Sequence, residues 1–298
     1  MHGWMIGFSL LLAVGMRWVL LRSQHLQLES SERKGNDFFH WQHTFAAFLM
    51  PPILLLLTAV AMLQMGTTGV MLGVPVGRIG FVVGWIFLAS AGGIVSVLGI
   101  QGWRSLHRIR SCPSTTLHGY TVRILDTDIP FAGQIGFWTP ELVVSRSLMD
   151  TLESDQIAAV LAHENAHAHY HDTFWYFWLG CLRTLTCWLP KTRELWQELL
   201  LLREIRADRW ATQVQSVDPI LLAESLLQVV RVSSQPPHPN CATFHVASST
   251  SRLKIRINSL IAASGSSPGQ DEAKPESAYV PWQFCIVIWP LLAIALHH

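Results

Sequence analysis

Apolar stretches long enough to cross a bilayer dominate the first third of this chain. Gly3 to Leu21 is apolar apart from Arg17, Phe45 to Met65 is uncharged and contains Pro51-Pro52, and Ile79 to Ile100 is uncharged with Gly80, Gly84, Gly92 and Gly93. A helix needs roughly 20 such residues to span the hydrocarbon core. Proline is tolerated in such a helix, and small residues let two of them pack closely. A shorter uncharged run, Val280 to Ala295, predicts a fourth span with Trp282 and Trp289 as interfacial anchors. Phe174 to Pro190 is also apolar but carries Arg183 in its middle. At about 17 residues it is short for a span, and the central charge is costly. It reads as an interfacial or re-entrant helix, or equally as a buried core helix.

Between these stretches the periods change. His118 to Ser145 is rich in Thr, Val, Ile and Phe, with breaks at Asp126-Thr127-Asp128 and Thr139-Pro140, which predicts short strands. Within it, Gln134 to Trp138 is either an edge strand that binds substrate by strand addition, through Gln134 and Gly136, or plain core sheet. From Ser154 a helix begins, with Ser154 as N-cap and Asp155 in its first turn, and no Gly or Pro interrupts the chain as far as Trp178. Leu199 to Thr212 and Pro219 to Val232 are further helices, Ser233 to Asn240 is a Pro-rich loop, and Arg252 to Ile261 is a short basic helix. Ala262 to Ser277 has the composition of a flexible linker.

Composition supports this layout. Half of the 298 residues are hydrophobic and only 14% are charged, more apolar than an ordinary soluble domain. Positive residues cluster in the first connector (Arg22, Arg33, Lys34) and after the third span (Arg104, Arg108, Arg110), whereas the second connector has only Arg78. The positive-inside rule then places the N-terminus outside and the region after the third span in the cytoplasm. The expected organisation is three transmembrane helices with connectors over 1–104, a cytoplasmic domain over 105–262, a linker over 263–279 and a fourth transmembrane helix over 280–298. The five cysteines form no C-x-x-C pair and would stay reduced in the cytoplasm. A formal net charge of +1 gives no reason to expect direct nucleic-acid binding; the bilayer is the expected partner.

One pentapeptide carries chemistry. His163-Glu164-Asn165-Ala166-His167 is an H-E-x-x-H sequence inside the expected helix. Residues four apart share a helix face, so His163 and His167 can offer two imidazoles to one metal ion, with the Glu164 carboxylate beside them. A catalytic zinc wants a third protein ligand. Glu204 on the 199–212 helix is the first choice, with Asp208 on the same face placed to orient a ligand histidine; Glu194 and Glu198 are weaker candidates. His171 lies four residues beyond His167 and is expected on the same face, with His171 and Asp172 as supporting groups around the ligands.

The segment LESDQIAAVLAHENAHAHYHD followed by REIRAD resembles the membrane gluzincin metallopeptidases, and within them the BlaR/MecR-type antirepressor peptidases. The CAAX-processing and heat-shock membrane proteases are similar more distantly. The resemblance implies an α-helical multi-pass membrane protein with an inserted α+β zincin-like metallopeptidase domain. It implies one zinc ion per chain on His163, His167 and Glu204, with Glu164 as general base. By loose similarity to the CAAX-processing group, His245 and Arg252 would stabilise the oxyanion. A protein substrate is implied, with a winged-helix repressor as the antirepressor-type candidate. A quality-control or maturation protease, and a non-catalytic membrane scaffold, are the competing readings.

Overall fold

The computed structural model of the chain describes residues 4–31, 37–71, 74–233 and 244–265. The expected span Val280 to Ala295 and nearly all of the expected linker lie outside the described residues. In chain order the elements are α1 (Trp4–Ser31), α2 (Asp37–Met65), β1 (Val70–Met71), β2 (Val74–Pro75), α3 (Gly77–Arg110), β3 (Ser114–Leu117), β4 (Tyr120–Leu125), β5 (Ala132–Ile135) and β6 (Glu141–Ser145). Six helices follow: α4 (Arg146–Thr151), α5 (Ser154–His169), α6 (Asp172–Leu185), α7 (Thr192–Gln213), α8 (Pro219–Ser233) and α9 (Phe244–Ser264). The described residues fall into two compact units, one formed by residues up to 98 with 178–199, the other by 99–177 with those from 200 onward.

In the first unit the three early apolar runs become helices, each longer than its apolar core. Among the described residues, two helices are long and apolar enough to cross a bilayer: His40–Met65, with mean hydropathy 2.3, and Gly77–Arg110, with mean hydropathy 2.2. Pro51 and Pro52 lie inside the helix α2. Arg17, the one charge in the first apolar run, is fully buried. Its guanidinium donates to the Phe48 carbonyl at 3.1 Å, to the Pro190 carbonyl at 3.2 Å and to the Thr192 hydroxyl. A buried cation is tolerable when it finds acceptors of this kind.

The second unit is built on a small mixed sheet of order β3-β4-β6-β5. β3 and β4 form an antiparallel hairpin in which Leu117 faces Tyr120. The two residues between them, His118 and Gly119, have φ of 49° and 83°, the doubly positive geometry of the hairpin turn that suits strand twist. β4 runs parallel to β6, and β5 antiparallel to β6 with Gln134 opposite Leu142, so β5 is an outermost strand.

Alternation puts Val122, Leu142 and Val144 on one face, where they pack with Leu148 and Leu152 and with Ile157, Val160 and Leu161 of α5. The opposite side of α5 contributes Ala159 and Ala162 to a second cluster with Ala211 of α7, Leu222 and Ala223 of α8, and Leu260 of α9. α5 therefore has its sheet-side and helix-side residues buried in two different cores. This is a rigid seat for a motif whose two histidines must keep their spacing.

Glu153, not Ser154, is the N-cap of α5, and its N–H donates to the Gln156 side chain at 3.1 Å. The helix also ends earlier than the absence of Gly and Pro suggests. It stops at His169, and His171 takes a left-handed φ of 52° before α6 starts at Asp172.

Candidate metal centre

His163 and His167 are buried on one face of α5, and Glu204 comes to them from α7. The helices can meet here because the residues between them are small: Ala166 packs with Ala207. His163 Nε2 lies 3.2 Å from His167 Nε2 and 3.4 Å from Glu204 Oε2, and His167 Nε2 lies 3.8 Å from Glu204 Oε1. Ligand atoms about 2.0–2.1 Å from a tetrahedral zinc sit roughly 3.3 Å from one another. The two imidazole nitrogens, and the Glu204 oxygen nearer His163, are close to this spacing. One ligand atom from each residue lies within 4.8 Å of the others, and two nitrogens with a carboxylate are a set that zinc accepts.

Each histidine is oriented from behind. Asp208 Oδ1 sits 2.8 Å from His163 Nδ1, and Asp172 Oδ2 sits 2.7 Å from His167 Nδ1. At His167 the carboxylate accepts from Nδ1 and leaves the Nε2 lone pair toward the shared point, the arrangement that strengthens a ligand imidazole, whereas Asp208 faces His163 Nδ1 as an ion-pair partner. The carboxylates are held in turn by arginines: Arg206 on Asp172, Arg203 on Glu204 at 2.6 Å, and Arg256 on Asp208 and Glu204.

Asp172 lies behind His167, whereas His171 is exposed. The left-handed turn at His171 takes its side chain off the α5 stripe and leaves it exposed, and the same turn brings Asp172 back onto His167. Of the weaker carboxylates, Glu198 pairs with His40 at 2.8 Å and Glu194 is exposed. The α6 segment does not separate the halves of the site: at 14 residues it is about 21 Å long, short of a bilayer core.

Gln134 on β5 donates to the Glu164 carbonyl at 3.2 Å, which fastens the outermost strand to the motif. Gly136, just past β5, has φ of 137°, and a Cβ there would meet the Thr139 carbonyl oxygen at 2.9 Å. Its identity is explained by the backbone. His245 lies in α9 with its side chain outside the described residues. Arg252 is on the same helix, and Arg256, one turn further on, reaches both Glu204 and Asp208. The sequence groups Arg256 with Arg252 and Lys254 as cations for anionic lipid head groups, but Arg256 turns inward and is largely buried against Glu204 and Asp208.

Charge in this buried cluster is tightly coupled. Burial alone would lower the His163 pKa, but contacts with Asp208 and Glu204 outweigh it and raise it to about 9. Burial opposes ionisation of Glu204, yet His163, Arg203 and Arg256 hold its carboxyl well below the usual range. Asp208 is lowered too, against burial, by Arg256 and His163.

A pH dependence follows. A histidine raised above its unfolded value of 6.5 stabilises the metal-free fold fully below pH 6.5, and that contribution disappears as pH rises through 9. Zinc needs the neutral imidazole, so its uptake releases the His163 proton below pH 9. Competition with a chromophoric chelator should show apparent zinc affinity rising about tenfold per pH unit from 6.5 and levelling near 9. Over the same range the chelator-treated protein should melt at progressively lower temperature.

Residues 108–196 match the family described as Peptidase family M48. The match takes in α5 and both histidines and ends eight residues before Glu204. No curated protein matches the chain. The M48 match and the donor geometry together make the chain a zinc metallopeptidase, with His163, His167 and Glu204 as its zinc ligands.

Proposed function

We propose that this metallopeptidase is a membrane-anchored endopeptidase that cuts an extended segment of a cytoplasmic protein, with a transcriptional repressor as its signalling substrate. The observation that carries the reading is the position of β5. It is an outermost strand, and Gln134 ties it to the carbonyl of the motif's own glutamate. A peptide added to such an edge is held by its backbone, so it can be recognised in mid-chain, away from its termini.

Bound zinc polarises the scissile carbonyl and acidifies water. Glu164, partly exposed beside the buried histidines, takes the proton from the attacking water and returns it to the leaving amine. Asp172 keeps His167 in the tautomer that leaves Nε2 free, and Asp208 faces the corresponding nitrogen of His163 as its ion-pair partner. Similarity to the CAAX-processing group assigns oxyanion stabilisation to His245 and Arg252, both on α9.

Membrane anchoring is supported by α3. Its apolar window is only 6% buried, and an exposed helix with mean hydropathy 2.2 needs lipid around it. Arg104, Arg108 and Arg110 at its end favour the cytoplasmic side. Trp138 and Trp175, 77% and 54% exposed, suit an enzyme working at a bilayer surface. The repressor rests on the resemblance to antirepressor peptidases.

The test compares new N-termini in cells carrying the wild type or the Glu164→Gln variant. One dominant cytoplasmic cleavage, lost in the variant, is expected. Fragments from many membrane proteins would replace this reading with a quality-control protease.

A further inference from the structure

Helix α9 lies outside the family-matched residues, yet it sends one side chain into the centre of the site. Arg256 is largely buried and grips Asp208 with two nitrogens, Nε at 2.8 Å and Nη2 at 2.7 Å, while its third nitrogen lies 3.2 Å from Glu204 Oε2. One planar guanidinium thus joins the zinc ligand on α7 to the carboxylate behind His163. These two carboxylates are four apart on α7 and point at different ends of the metal site: Glu204 supplies a donor atom, and Asp208 sets the direction of another.

From this geometry we infer that Arg256 is a positioning residue of the metal centre, fixing Glu204 and Asp208 in the geometry that zinc requires. The inference rests on Glu204 being a ligand. Backbone placement alone does not fix either carboxylate, because Glu and Asp side chains have several rotamers and both lie among groups that could attract them elsewhere. A bidentate bond allows Asp208 one orientation, and the third contact limits Glu204. Arg256 also has a plain electrostatic effect of opposite sign. A positive charge this close to the ligands repels a divalent cation, so as a bystander charge it would weaken zinc binding.

The two roles make contrary forecasts. Loss of a bystander cation would tighten zinc binding; loss of a positioning residue weakens it, by 10–100-fold for a group of this kind. Arg256→Ala and Arg256→Lys would be titrated with zinc against a chelator, and their cobalt-substituted forms compared by visible absorption. Lysine keeps the charge but cannot bridge both carboxylates, so it preserves the fold's charge balance while removing the fork.

We expect both variants to bind zinc at least tenfold more weakly, with the cobalt bands broadened and reduced. In combination with Asp208→Asn, Arg256→Lys should cost little beyond the larger single effect, since both act through one contact. If Arg256→Lys keeps wild-type zinc affinity and an unchanged cobalt spectrum, or if Arg256→Ala binds zinc more tightly, Arg256 is only a charge and the inference falls. Should Arg256→Ala not fold, Arg256→Lys decides alone. Failure of the underlying ligand assignment is a separate result: Glu204→Ala would then keep its zinc.

Discussion

Glu164→Gln should stop proteolysis while the protein keeps its zinc. Glu164 lies next to His163 in sequence, but a helix turns it away from the stripe occupied by His163 and His167. It is absent from the donor cluster, whose members are His163, His167 and Glu204. The amide is nearly isosteric and keeps an oxygen that can accept a hydrogen bond, so packing changes little. What disappears is basicity. Proton transfer by a placed carboxylate contributes roughly 10²–10⁴ in rate, and here the same group serves both the attack and the departure of the amine, so we expect a loss of about 10³-fold or more. The check is turnover of a peptide substrate together with metal content of the same preparation. Equal zinc and no detectable turnover is the expected pair. Turnover within tenfold of wild type would remove Glu164 from the chemistry.

Much of this site could be read from sequence because helical spacing is a hard constraint. His163 and His167 had to share a face once α5 was a helix, and Glu204 and Asp208 repeat the same spacing on α7. The alanines at 162, 166, 207 and 211 were the further signal that these two faces could approach, although the sequence alone does not say which helices will pair. His171 was misplaced for a local reason. Its position assumed that α5 continued, and the enrichment of histidine at positive φ is too weak a signal to place the turn in a chain with several histidines in a row. That same turn is what gives His167 its carboxylate partner, so the irregularity is functional.

Arg256 was missed for a different reason. Long-range ion pairs depend on how α9 packs on α8 beside α5 and α7, and Leu260 on the α9 core face, in one cluster with Leu222, Ala223 and Ala211, belongs to that packing. Nothing in a pattern of local periodicity carries that information. The strands were legible as a group, but the crossing order β3-β4-β6-β5, which leaves β5 at the edge, is a tertiary property.

Removal of Glu204 should have the largest effect on the metal itself. Zinc sites held by protein side chains develop roughly 10–16 kcal/mol in all, so one ligand of three accounts for several. At 1.4 kcal/mol per decade, Glu204→Ala should weaken zinc binding about 10²–10⁴-fold, enough for dialysis to strip the protein. The fold should largely survive. Arg256 still has Asp208 as a bidentate partner, and Arg203 keeps its stacking contact with the Tyr176 ring, its guanidinium carbon 4.8 Å from the ring centre. No buried cation is left wholly without a partner, but the Glu204 contact that helps hold the His163 imidazolium is gone, so the chelator-treated variant should melt somewhat below the chelator-treated wild type. Adding zinc should widen that gap, because zinc binding to the native state stabilises the wild type and not the variant. Glu204→Asp separates charge from reach. It keeps the carboxylate but withdraws it by about one bond length, well over the tolerance of roughly 0.2 Å on a metal–ligand distance, and it should also lose zinc. If Glu204→Ala retained zinc at wild-type affinity, the third ligand would have to be another carboxylate. Asp208 is the nearest alternative on the same helix, and His163 would then have to rotate its imidazole away from the contact at Nδ1.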